Sequence, residues 1–124
     1  MSDVAARGAA VRREVLGPDR ADRPPEPFAE PFREWVLEAA WGRVWDRPGL
    51  DRRTRSCVTL AVLTALRCTD ELEMHVEAAL RNGVTPDEIA EVLLHTTVYA
   101  GAPAGNAAFA VASRVLSAQE ERPA

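Results

Sequence analysis

The chain contains two histidines, His75 and His95, and each follows a glutamate by four positions, Glu71 and Glu91. On a helix that spacing leaves the paired side chains about 40° apart and one turn from each other. An imidazole held beside a carboxylate can act as an acid or a base near neutral pH. Tyr99, four beyond His95, extends the second series with a hydroxyl donor. The same spacing also describes an ordinary ion pair on a helix surface, contributing about 0.2–0.5 kcal/mol. Its recurrence at both histidines brings the catalytic reading level with the structural one. Antiparallel packing of the two helices would turn both series toward one cleft.

Arg55 is the third element of this constellation. It falls in the first turn of a strongly apolar helical segment, where a cation is slightly unfavourable unless something negative is present. Free backbone N–H groups and a guanidinium at one helix start would bind a carboxylate well, with Arg52 or Arg53 assisting. A pair with Asp51 or Glu71 explains Arg55 equally well. Trp41 and Trp45, one turn apart, serve as core or as cleft wall, core being the commoner outcome for such residues. Cys68 and Glu71 have the spacing of a redox Cys-x-x-Cys motif with glutamate in the second position. A dithiol cycle needs a second sulfur. Cys57, eleven residues away, lies about 16 Å along a helix, too far to form a bridge.

The elements that must position these residues are helices. Residues 3 to 16 form a first amphipathic segment. GPDRADRPPEP (17 to 27), with four prolines, reads as a connector. A second helix runs from about residue 27 to 44, with Phe28, Phe32, Trp35, Val36, Ala39 and Ala40 at helical spacing. A third spans 51 to 67 and is so apolar from Cys57 to Leu66 that burial on most sides is expected. A fourth covers 70 to 82, with Asp70 and Glu73 as a capping box and Gly83 at its end. Thr85, Pro86 and Glu88 start a fifth, reaching Ala100. A sixth, alanine-rich helix continues to about Gln119 and is apolar nearly all round. No stretch alternates like a strand. The expectation is an all-α single domain over residues 1–124, with a helix and proline-rich connector at 1–27 and a helical core at 28–119. The all-round apolar last helix predicts an oligomer.

Composition narrows the class further. Hydrophobic residues make up 47% of 124 and charged residues 27%, ordinary for a soluble globular protein. All fifteen basic residues are arginine, which excludes lysine Schiff-base chemistry. The net charge of −4 argues against nucleic acid as partner. No apolar run suggests a membrane span, and the charged N-terminus has no signal-like stretch, so a cytoplasmic protein with two free thiols is expected.

With these residues in place, the chain resembles the γ-carboxymuconolactone decarboxylases, within the larger carboxymuconolactone decarboxylase and alkylhydroperoxidase-D-like superfamily. The likeness rests on the ordered series W-x-x-x-W-x-R-P-G-L, T-R-S, E-L-x-x-H, N-G-V-T, H-x-x-x-Y-x-G-x-P and N-A-x-F, between Trp41 and Phe109. It implies a six-helix, cofactor-free subunit of the alkylhydroperoxidase-D-like type, assembled as a hexamer built from trimers. The implied reaction takes 4-carboxymuconolactone, a small anionic lactone of aromatic catabolism, to an oxoadipate enol-lactone and CO₂. The implied roles are His75 oriented by Glu71 as proton donor, His95 or Tyr99 as donor to the lactone carbonyl, Arg55 with Arg53 on a substrate carboxylate, and Trp41 with Trp45 as cleft wall. The redox branch carries Cys-x-x-Cys-x-x-x-His, which Cys68 and His75 match only at its ends. A thiol-dependent peroxidase using Cys68 and a non-catalytic helical oligomer are the two alternatives.

Overall fold

The computed structural model of the chain describes residues 1–122, and its contacts divide the chain into two compact units, Met1–Arg52 and Arg53–Ala124. Every regular element among the described residues is helical.

In the first unit, α1 (Asp3–Leu16) starts at Ser2, whose hydroxyl accepts the Ala5 N–H at 3.0 Å. This satisfies one of the backbone donors that a helix start leaves over. Gly17, at φ 87°, ends it. The proline-rich connector holds more structure than its composition suggests. It contains a four-residue helix, α2 (Pro18–Ala21), and is followed by a 3₁₀ turn at Pro27–Ala29. Proline is tolerated at the first helical position because its missing N–H would have had no partner there. The six longer helices expected are present, and α2 makes a seventh.

α3 (Glu30–Val36) runs directly into a wider π-helical segment, Leu37–Trp45, which packs on α1. Gly8 and Gly42 make that approach possible. A Cβ on Gly8 would overlap the Leu37 carbonyl, and one on Gly42 would lie 2.5 Å from the Val4 carbonyl. The interior of this unit is Ala5, Val11, Val15, Leu16, Leu37 and Trp41, with the Trp41 and Trp45 rings 5.1 Å apart. Of the residues at helical spacing in this segment, Phe28, Phe32 and Trp35 are 99%, 65% and 64% exposed. Periodicity identified an apolar face, but the glycine contact with α1 selects the face carrying Leu37 and Trp41 instead.

The second unit holds α4 (Arg52–Leu66, from its second residue), α5 (Thr69–Arg81), α6 (Pro86–Ala100) and α7 (Ala102–Glu120). Leu60, Leu72, Val76, Ala79, Ile89 and Leu93 meet Ala108, Val111, Ala112 and Val115 in one cluster. α4 is less buried than expected. Ser56, Leu60 and Thr64 form its buried stripe, whereas Val58, Val62 and Leu66 are exposed.

Two turns in this unit have the same hydrogen-bond pattern. After α5, Val84 N–H donates to Ala79 C=O at 2.9 Å and Gly83 N–H to Leu80 C=O at 3.1 Å, with Gly83 at φ 90°. After α4, Cys68 N–H donates to Leu63 C=O at 3.0 Å and Arg67 N–H to Thr64 C=O at 3.2 Å. There the left-handed position is held by Arg67, at φ 61°. Both are Schellman endings, and the second lacks the glycine that usually makes one easy. This tight reversal starts α5 at Thr69, with Cys68 at the cap position; its thiol donates back to the Leu66 carbonyl at 3.9 Å instead of capping α5. The expected Asp70–Glu73 capping box is therefore not formed. Asp70 and Glu71 lie in the first turn instead, where the helix dipole favours them. The box at Thr85 and Glu88 forms as expected, with bonds of 3.1 and 3.0 Å.

Candidate active site

Glu91, Val92, His95 and Thr96 occupy successive turns of one face of α6. With Ala61 of α4 they line a cleft of about 320 Å³ within the second unit. Thr96 turns its hydroxyl back to the Val92 carbonyl at 2.7 Å. His95 and Glu91 are exposed at the cleft. The His95 ring lies 5.5 Å from that of Tyr99, centroid to centroid and tilted by 42°. Tyr99 is itself 81% exposed. The i, i+4 series read from the sequence thus brings Glu91, His95 and Tyr99 along one open edge.

His75 is placed differently. It is buried in α5 among the stripe of Leu72, Val76 and Ala79, at 8% exposure. Glu71, one turn earlier, is exposed. Helical spacing put the two on one side, but their depths differ.

The two arginines also separate. Arg53 forms an ion pair with Glu88, the same carboxylate whose other oxygen accepts the Thr85 N–H in the α6 capping box. Arg55, half-buried two residues later, lies in the first turn of α4, and its carbonyl accepts the Thr59 hydroxyl at 2.8 Å. On the next residue, Ser56 accepts a 2.9 Å bond from Asn82, at the end of α5, and so anchors the α4 start to that turn. Trp41 and Trp45 belong to the first unit, where Trp41 is core.

Sequence reasoning named His95 and saw Glu91 beside it, but did not single out Ala61, Val92 and Thr96 as lining residues. The offsets of Val92 and Thr96, three residues before and one after His95, were the available signal. Cys57 and Cys68 are both half-buried free thiols.

The sequence pattern of the carboxymuconolactone decarboxylase family matches residues 30–114. The chain is 50% identical over 113 residues to a 4-carboxymuconolactone decarboxylase of Acinetobacter baylyi, covering 89% of this chain and 84% of that protein. It belongs to the carboxymuconolactone decarboxylase family. A nitrosuccinic acid decarboxylase of Metarhizium robertsii is 41% identical over the same share of this chain and 79% of its own length. These two relatives are both named for the loss of a carboxyl group. The matched span, 30–114, contains all eight residues that the sequence singled out for a site.

Proposed function

We propose that this protein is a decarboxylating carbon–carbon lyase that converts 4-carboxymuconolactone to the oxoadipate enol-lactone and CO₂. The observation that carries the reading is the 50% identity with a decarboxylase of that substrate across nearly all of both chains. The chemistry needs little from the protein. The bond from ring carbon to the leaving carboxylate breaks, and its electron pair enters a system conjugated through the ring double bond to the lactone carbonyl. CO₂ departs, and a proton is added to ring carbon. The substrate is its own electron sink, so the enzyme's tasks are to hold an anion, stabilise charge on the lactone oxygen and deliver the proton.

Arg55 takes a substrate carboxylate in this proposal, and Arg53, which is paired with Glu88, is the assisting guanidinium. His75 is the proton donor, in a shielded position that suits a group whose protonation must be controlled. Glu71 acts on it from the exposed end of the same turn. His95 or Tyr99 donates to the carbonyl oxygen from the α6 edge. A homo-oligomer, a trimer or hexamer, is part of the reading, and the exposed stripes Val58, Val62, Leu66 and Leu94, Val98 support it. The reading also places the enzyme in the cytoplasm. No helix among the described residues is long and apolar enough to cross a membrane.

Purified protein mixed with freshly generated carboxymuconolactone tests the activity through loss of ultraviolet absorbance. Turnover of the lactone that survives Cys68→Ser is expected. Hydroperoxide reduction abolished by that change, with no lactone turnover, would make the protein a thiol peroxidase instead.

A further inference from the structure

The first unit contains a cleft of about 260 Å³ that the proposed reaction does not use. Its apolar walls are Pro25, Ala29, Phe32 and Val36, and Arg12 and Arg33 reach into it. Both guanidiniums turn to one backbone oxygen. Arg12 Nη1 donates to the Ala21 carbonyl at 3.1 Å and Arg33 Nη2 donates to the same atom at 3.0 Å. Two like charges, each half-buried, are thus drawn together at a shared neutral acceptor, and Arg33 Nη1 donates further to the Arg23 carbonyl at 3.4 Å. The structure records no ion pair between either group and a carboxylate among the described residues. Burial, and secondarily the Arg33 charge, hold the Arg12 guanidinium below its ordinary range.

We propose that this cleft binds a small monocarboxylate with an apolar body. A carboxylate is the group that two converging guanidinium forks bind best, and it would offset their mutual repulsion. The apolar walls give the rest of such a molecule a surface out of water, and the volume holds a single ring. Glu26 also lines the cleft, so a second negative charge on the ligand would meet repulsion there. That favours one carboxylate over two, and so separates this site from one built for a dianionic lactone.

The competing account is that Arg12 and Arg33 only cap the carbonyl end of α2, and titration calorimetry on the full chain distinguishes the two. Benzoate is expected to bind at least tenfold more tightly than its neutral isostere benzamide, since one charge-assisted hydrogen bond is worth about that factor. Arg12→Gln should lose at least tenfold in benzoate affinity while keeping its kcat/KM for the lactone. Phe32→Glu, at an exposed position, puts a carboxylate in the cleft and leaves both bonds to Ala21 untouched. It should abolish benzoate binding even if Arg12→Gln fails to fold. Equal affinity for benzoate and benzamide, or wild-type benzoate affinity in Phe32→Glu, would overturn the proposal. So would a wild-type protein that binds benzoate more weakly than about 10 mM.

Discussion

Replacing His75 by glutamine keeps a polar side chain of similar bulk in α5 but removes the titratable ring. If His75 donates the proton, kcat falls by at least tenfold, since a positioned acid contributes about 10²–10⁴-fold. The melting temperature should change little, because Gln fills the same buried space. Wild-type turnover in that variant would remove His75 from the reaction, and the same exchange at His95 then asks whether the cleft-lining imidazole carries it. The sequence placed both histidines on the correct helices, one turn from their glutamates. It could not separate them by depth. Spacing fixes angle around a helix, but burial depends on what the neighbouring helices place over each residue. Leu72, Val76 and Ala79 draw His75 into the interior, whereas α6 leaves His95 beside a cleft. A residue-scale effect of pH is also visible away from the site. The hydrogen bond from Arg43 holds the Glu38 carboxyl below the usual carboxylate range. A depressed carboxylate stabilises the fold above its ordinary pKa and loses that contribution as pH falls through the lowered value. Glu38→Gln should therefore lower stability at neutral pH and leave it little changed at the acid end, which flattens the acid limb of a stability–pH curve.

Helix ends and helix contacts are where single changes should move stability most. Arg67 occupies a left-handed position that costs a non-glycine residue about 1–2 kcal/mol. Arg67→Gly relieves that and gives back about 0.5–1 kcal/mol in chain entropy, leaving a net gain of about 0.5–1 kcal/mol. Chemical denaturation should show it as a higher midpoint with unchanged slope. Gly105 is the opposite case. An added Cβ would collide with Thr97 Oγ1, which donates at 2.8 Å to the Leu93 carbonyl, and would lie 2.9 Å from Thr97 Cγ2. Gly105→Ala should cost about 1–3 kcal/mol, the range for overpacking. Adding Thr97→Ala should recover most of it, and a non-additive double-mutant cycle is the signature to measure. The Thr85 box and the Gly83 ending were legible in the sequence because each is made by residues within five positions of one another. The α5 start was not, because the reversal at Arg67 moves it one residue earlier. Nothing in the residue type of arginine announces a left-handed φ.

At the scale of the whole molecule, the surface of the second unit argues for a second copy of the chain. Val58, Val62 and Leu66 recur every four residues along α4 and are 51%, 48% and 67% exposed. Leu94 and Val98 do the same on α6, at 56% and 75%. Single exposed apolar residues need no explanation, but ordered stripes on two helices of a small chain mark an interaction surface. The apolar run in α4 was plain in the sequence, and burial on most sides was the natural inference. Periodicity cannot say whether the burying partner belongs to the same chain. The 13.5 kDa chain should therefore elute as a trimer or hexamer by light scattering. Val62→Glu puts a charge in the middle of the α4 stripe, where burial without a partner costs several kcal/mol. It should shift the assembly toward monomer, while far-ultraviolet circular dichroism stays helical because the Leu60 face remains intact. An oligomer that withstands Val62→Glu would move the interface off α4. A wild-type monomer at micromolar concentration would mean that neither stripe holds a copy of this chain.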